Sequence, residues 1–160
     1  MRIAFYKGRG HGIFNFIASY GVKLFTLGRY SHVEIIDDRG DEWKWYSASA
    51  FNEGTVRVKI FDHDPKNWDI FDLKPEVKDR HNDKRVFAYV CTQLGKKYDW
   101  LGIFGSQVLP LTVDKHDKWF CSEICHKSLC EGLYLIPRLK SEQVSPNKLY
   151  KILRSKDLLI

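Results

Sequence analysis

The chain has 160 residues, 44% of them hydrophobic and 14% aromatic, enough apolar material for one domain to close a core without disulfides or a structural metal. Charged residues make up 29% and are mixed along the chain, which excludes a disordered charged tail. The net charge of +6 favours acidic partners, but Lys and Arg are scattered rather than clustered, so it reads as a generally basic surface.

Arg2 to Lys7 reads as a short strand closed by Gly8 and Gly10. The start lacks the long apolar run and small-residue cleavage site of a signal peptide. Ile13, Phe16, Ile17, Tyr20, Leu24 and Leu27 recur at helical spacing and predict an amphipathic helix ending near Gly28. The same stretch, Gly12 to Leu27, carries Asn15, Ser19 and Lys23 and is too short and polar to span a bilayer. A cytoplasmic protein with no transmembrane segment is therefore expected, one that reaches a cell wall only if released by other means.

The period then changes. Ser31 to Asp37 and Glu42 to Ser49 read as two strands joined at Asp38-Arg39-Gly40-Asp41 as a tight hairpin. Thr55 to Phe61 is a third strand of this group and Trp68 to Leu73 a fourth, with Pro65 and Pro75 in the connections. Asp79 to Leu94 is helical again. Tyr98 to Gly105 reads as an aromatic loop with a short helix, and Phe120 to Cys130 as a helix. The last helix starts with Ser145 as N-cap and Pro146 in its first turn. There is no internal repeat and no linker. Residues 1–160 thus form a single α+β domain, a small antiparallel sheet packed against helices.

Without a secretory signal, Cys91, Cys121, Cys125 and Cys130 are expected to be free thiols. Cys121 follows Trp119-Phe120 and opens a helical run. A thiol at a helix N-terminus meets the positive end of the macrodipole and uncommitted N–H groups, which stabilise thiolate and can bind a developing oxyanion. Most cysteines at such a position are structural, so Cys121 needs a base nearby.

His32 is the candidate. On a strand, His32 and Glu34 share one face and Val33 and Ile35 the other. With Arg39 and Gly40 as the two loop residues, Ser47 falls opposite His32, Trp45 opposite Glu34 and Trp43 opposite Ile36. One face then carries His32, Glu34, Trp43, Trp45 and Ser47 and suits a cleft, while the other suits a core. A Cys–His site needs a third polar group to hold the imidazole tautomer. Glu34 is the electrostatically stronger choice, and Ser47 the nearer by this pairing. Trp43 and Trp45 are candidates to bind an apolar or acyl group.

These pieces together resemble the circularly permuted papain-like amidases, a branch of the NlpC-type cysteine peptidase superfamily related to lecithin:retinol acyltransferase-like proteins. The matching segments are Ile3-Ala4-Phe5-Tyr6, Tyr30-Ser31-His32-Val33-Glu34, Ser47-Ala48-Ser49, Gly54-Thr55-Val56-Arg57, Gly95-Lys96-Lys97-Tyr98-Asp99-Trp100, Phe120-Cys121-Ser122-Glu123 and Ser145-Pro146-Asn147-Lys148-Leu149-Tyr150. They cover nearly the whole chain, histidine first and cysteine last. The resemblance implies a permuted papain-like fold, Cys121 as nucleophile and His32 as base. It implies amide or ester substrates, among them peptidoglycan peptides, lipids and acyl compounds, and no cofactor. It also places Tyr98 and Asp99 near the site. The family's third residue, on the strand after the histidine, is often acidic, whereas position 47 here is serine, so Glu34 and Ser47 both stay open. An acyltransferase or lipid-directed esterase would use the same residues, and an inactive binding protein the same fold.

Two other classes fit less well. Cys121, Cys125, His126 and Cys130 resemble a zinc set, but on a helix they point about 0°, 40°, 140° and 180° around the axis and do not converge, and no CxxC pair exists. A basic chain with five tryptophans permits nucleic-acid binding, yet no recognition signature is present, so no specific nucleic-acid partner and no metal are expected. His11, His63, His81 and His116 lie in glycine-rich, turn or charged contexts and read as surface residues.

Overall fold

The chain's alternating strands meet in a seven-stranded sheet of order β5-β1-β2-β3-β4-β6-β7. The structure is a computed structural model, and it describes residues 1–7, 28–49, 54–60, 66–74, 79–98, 118–134, 136–139 and 144–160. The helix expected over Ile13 to Leu27, Asp99 and Trp100, and the rest of the aromatic loop lie outside these residues, as do His11, His63 and His116. The strands are β1 (Arg2–Tyr6), β2 (His32–Asp37), β3 (Lys44–Ser49), β4 (Thr55–Lys59), β5 (Trp68–Asp72), β6 (Lys97–Tyr98) and β7 (Lys118–Trp119). The helices are α1 (Arg80–Thr92), α2 (Cys121–Gly132) and α3 (Pro146–Ser155). All neighbouring strands run antiparallel except the edge pair β6–β7, which is parallel. The α+β class expected from the sequence is therefore present. The two-residue strands β6 and β7 were not expected, being too short to show a period.

Period-2 alternation divides the sheet into two apolar surfaces. Ile3, Phe5, Val33, Ile35, Tyr46, Ala48 and Val56 join the main core with Val86, Phe87 and Val90 of α1, Ile124 and Leu129 of α2, and Leu149 and Leu153 of α3. On the other surface Ala4, Ile36 and Trp45 are buried together, with Trp43, Trp68 and Ile70 packed against them. Helices α1 and α3 start on side-chain caps. The Asp79 carboxylate accepts from the His81 and Asn82 amides, both at 2.7 Å, and Ser145 Oγ accepts from the Lys148 amide at 3.2 Å with Pro146 in the first turn.

The hairpin register differs from the sequence reading. The observed pairs are Ile35↔Tyr46, Ile36↔Trp45 and Asp37↔Lys44, so Trp45 lies opposite Ile36 rather than Glu34, and the loop is wider than two residues. Charge explains the change. Asp38 leaves the ladder to accept from the Met1 ammonium at 2.5 Å and from Arg2 Nε at 3.1 Å, while Asp37 pairs with the Arg39 guanidinium at 2.7 Å. The slip is two residues, an even number, so each side chain keeps its face.

Candidate active site

Cys121 is the first residue of α2, preceded by the extended N-cap Phe120. The Phe120 carbonyl accepts from the Glu123 and Ile124 amides, both at 3.1 Å, and Phe120 offers no side-chain cap to this end. The helix is seated by its buried face, Ile124, Cys125 and Leu129, against β2 and β3. Cys125 Sγ donates to the Val33 carbonyl at 3.6 Å. Burial, with the nearby charges of Cys121 and Glu34, pushes the Cys125 thiol well up, so it stays a neutral donor. The same carbonyl accepts from Ser47 Oγ at 2.7 Å. Beyond Ile35↔Tyr46, two side chains thus bond a backbone group of β2, and α2 is fixed beside the residue that separates His32 from Glu34.

The approach to His32 is held from the other side. Asn147, in the first turn of α3, accepts from the Tyr30 amide at 2.9 Å and donates to the Tyr30 carbonyl at 2.8 Å. A side-chain amide here does the work of a neighbouring strand. Gly28 leaves room for it, since a Cβ there would lie 2.1 Å from Asn147 Cγ.

The His32 side chain is 23% exposed, whereas Glu34 is buried. His32 Nε2 lies 3.0 Å from Glu34 Oε1, which also accepts from Arg57 Nη2 at 3.1 Å. With Nε2 on Glu34, Nδ1 is the nitrogen left for Cys121, whose sulfur is near enough to interact with the ring by charge and by hydrogen bond. Burial would lower the imidazole pKa, but the Cys121 charge and hydrogen bond, then Glu34, outweigh it and raise it to about 10. Burial likewise opposes the Glu34 carboxylate, and the His32 and Arg57 interactions overcome this and hold its pKa below the ordinary value. The arrangement favours a charged imidazolium beside Cys121 and the buried Glu34 carboxylate.

The other candidates are placed differently. The Ser47 hydroxyl donates to the Val33 and Ala48 carbonyls, at 2.7 and 3.3 Å, and not to the His32 ring. Trp45 is fully buried among Ala4 and Ile36, with Trp43 packed on that cluster under the Arg2 guanidinium at 4.4 Å. Tyr98 belongs to the main core. The expected cleft face is therefore closed around Trp45, because Trp68 and Ile70 of β5 extend the apolar surface beside it. Sequence reasoning gave Arg57 no role in the site. The signal was its strand parity: Arg57 pairs with Ser47, and Ser47 shares a face with Glu34. No local signal marks Asn147 as the partner of Tyr30, 117 residues away.

The rest of the cysteine cluster on α2 is structural in its bonding. His126 Nε2 donates to the Pro137 carbonyl at 3.1 Å and lies 3.5 Å from Cys130 Sγ. Burial lowers the His126 pKa and pushes the Cys130 thiol up to about 11, which keeps both neutral near pH 7. Among the described residues, no group of three or more His, Cys, Asp or Glu is placed to hold a metal ion. No helix among them is long and apolar enough to cross a membrane.

No family model matches the chain, and no curated protein matches it. Among solved structures, the metalloprotein yiiX from Escherichia coli O157:H7 (DUF1105) is similar at a TM-score of 0.58 and 18% sequence identity, over 96% of this chain and 79% of that one. At that identity the similarity concerns the fold alone.

Proposed function

We propose that the protein is a cysteine hydrolase of permuted papain-like fold that cleaves amide or ester bonds through an acyl-enzyme. The observation that carries this reading is the meeting of Cys121, at the start of α2, with His32, whose far nitrogen is held 3.0 Å from buried Glu34. The histidine-bearing strand precedes the cysteine-bearing helix in the chain, the permuted order.

In this mechanism the Cys121 thiolate attacks the substrate carbonyl carbon. A C–S bond forms, and the carbonyl electron pair moves to oxygen near the uncapped first turn of α2. The intermediate collapses as His32 gives its Nδ1 proton to the departing amine or alcohol. Water then gives a proton to His32 and attacks the thioester, and the C–S bond breaks to return the thiolate. Glu34 holds Nε2–H throughout. Cell-wall peptides and acyl compounds are the first substrates to assay.

Limiting iodoacetamide between pH 5 and 8, with the labelled site mapped by mass, tests the pair before a substrate is known. Cys91 is exposed and competes, so the Cys91→Ser background is used. Cys121 should label fastest and keep its rate at pH 5, and His32→Ala should slow it at least about tenfold. Equal slow labelling of Cys121, Cys125 and Cys130, unchanged by His32→Ala, would sink the proposal. Cys121→Ala and His32→Ala should both fold and both abolish turnover.

A further inference from the structure

We infer that Arg57 is a positioning residue of this site, acting through Glu34 to keep the histidine's partner ionised at every stage of the cycle. The inference rests on the cysteine-hydrolase reading and concerns a residue to which that reading gives no part.

Burying these two charges together is costly. Glu34 is 1% exposed, and the Arg57 side chain is 10% exposed. Neither charge is solvated, so each needs an opposite charge close by. Arg57 Nη2 donates to Glu34 Oε1 at 3.1 Å, while its buried Nε and Nη1 atoms have no hydrogen-bond partner among the described residues. A buried guanidinium whose bonding goes to one carboxylate is poorly used as a general structural clasp. Its place is explained by what that carboxylate does. Glu34 Oε2 is also buried and unpartnered, so both cations of the group, Arg57 and His32, meet on the single atom Oε1.

The two cations differ in kind. His32 gains and loses a proton in each turnover, whereas an arginine stays charged. When His32 is neutral, a lone buried Glu34 would draw a proton to itself. It would then cease to accept from Nε2–H, and the tautomer that aims Nδ1 at the sulfur would be lost. Arg57 supplies a charge that does not change with the cycle. Among the described residues, the surroundings of Glu34 offer no substitute. β2 contributes His32, β4 contributes Arg57, and α2 contributes the Cys125 thiol, whose ionised form would repel a carboxylate. β1 presents Ala4 across from Glu34, and Ser47 of β3 is engaged with backbone carbonyls.

The test follows Glu34 and Cys121 separately in wild type, Arg57→Met, Arg57→Lys and Glu34→Gln. The Glu34 carboxyl carbon is titrated by NMR, and the Cys121 iodoacetamide rate is measured from pH 4 to 8 in the Cys91→Ser background. Removing a cation raises a carboxyl pKa, so Arg57→Met should move the Glu34 midpoint up by about one pH unit or more. The acid limb of Cys121 labelling should move up with it. Arg57→Lys should restore most of both shifts. In Glu34→Gln, adding Arg57→Met should change the labelling profile no further. A Glu34 midpoint unmoved in Arg57→Met overturns the inference, as does a moved midpoint with an unmoved labelling limb. If wild-type Cys121 labels slowly and without regard to His32, the hydrolase reading fails and the positioning role goes with it. That outcome is recognisable because the Glu34 titration is read independently.

Discussion

A carboxylate as buried as Glu34 survives as an anion only because His32 and Arg57 share its Oε1. Ser47, the other candidate for the same role, is equally buried but bonds backbone carbonyls. The two substitutions should therefore separate cleanly. Glu34→Gln keeps the shape and an acceptor oxygen but removes the charge, so the His32 pKa, raised to about 10 in the intact site, should fall. Ser47→Ala should leave the His32 titration in place and cost about 1 kcal/mol of stability, because the Val33 carbonyl loses its shorter side-chain donor and keeps the longer one from Cys125. NMR titration of the His32 ring and urea denaturation measure the two effects. A larger shift of His32 in Ser47→Ala than in Glu34→Gln would make serine the orienting group.

At the scale of elements, packing distance sets what the chain tolerates. Helices α1 and α2 lie so close that a Cβ on Gly132 would sit 2.2 Å from Val86 Cγ2 and 2.9 Å from the Asn82 carbonyl. The carbonyl belongs to the α1 backbone and cannot rotate aside. Gly132→Ala should therefore destabilise the domain by about 1–3 kcal/mol, read as a lower urea midpoint at unchanged slope, with α1 shifted away from α2. A mutant as stable as wild type would mean that the helices are free to part. This contact was invisible in the sequence, where the helix reads as Phe120 to Cys130 and nothing marks Gly132. By contrast, strands β1 to β5 and all three described helices were legible, because alternation, Asp79, Ser145 and Pro146 are local signals. The pairing register was not, since it depends on Asp38 meeting the Met1 ammonium and Arg2 from another strand. For the site, the shared strand face of His32 and Glu34 could be read from period alone. That Ser47 turns to the Val33 carbonyl and that Arg57 reaches Glu34 needed the register of three strands.

Across the whole molecule, the same buried charges make stability depend on pH in opposite directions. His32 has a folded-state pKa of about 10 against an ordinary 6.5, so it binds its proton more tightly when folded. The stability it lends is fully present below pH 6.5 and is lost as pH rises toward 10. Glu34 is shifted down from 4.5, so its contribution is present above that value and is lost as pH falls through its folded pKa. The pair together predicts a maximum between about pH 5 and 6.5, below the usual neutral range, for a protein with net charge +6. Urea midpoints taken every half unit from pH 3.5 to 10 locate it. Thiols of the unfolded chain also ionise at the alkaline end, so the comparison that isolates the site is wild type against His32→Ala. The mutant should be less stable at pH 6 and lose less on going to pH 10, so that the two curves converge. Parallel curves would mean that His32 carries no raised pKa in the folded chain, and the charged Cys121–His32 pair on which the catalytic reading depends would be absent.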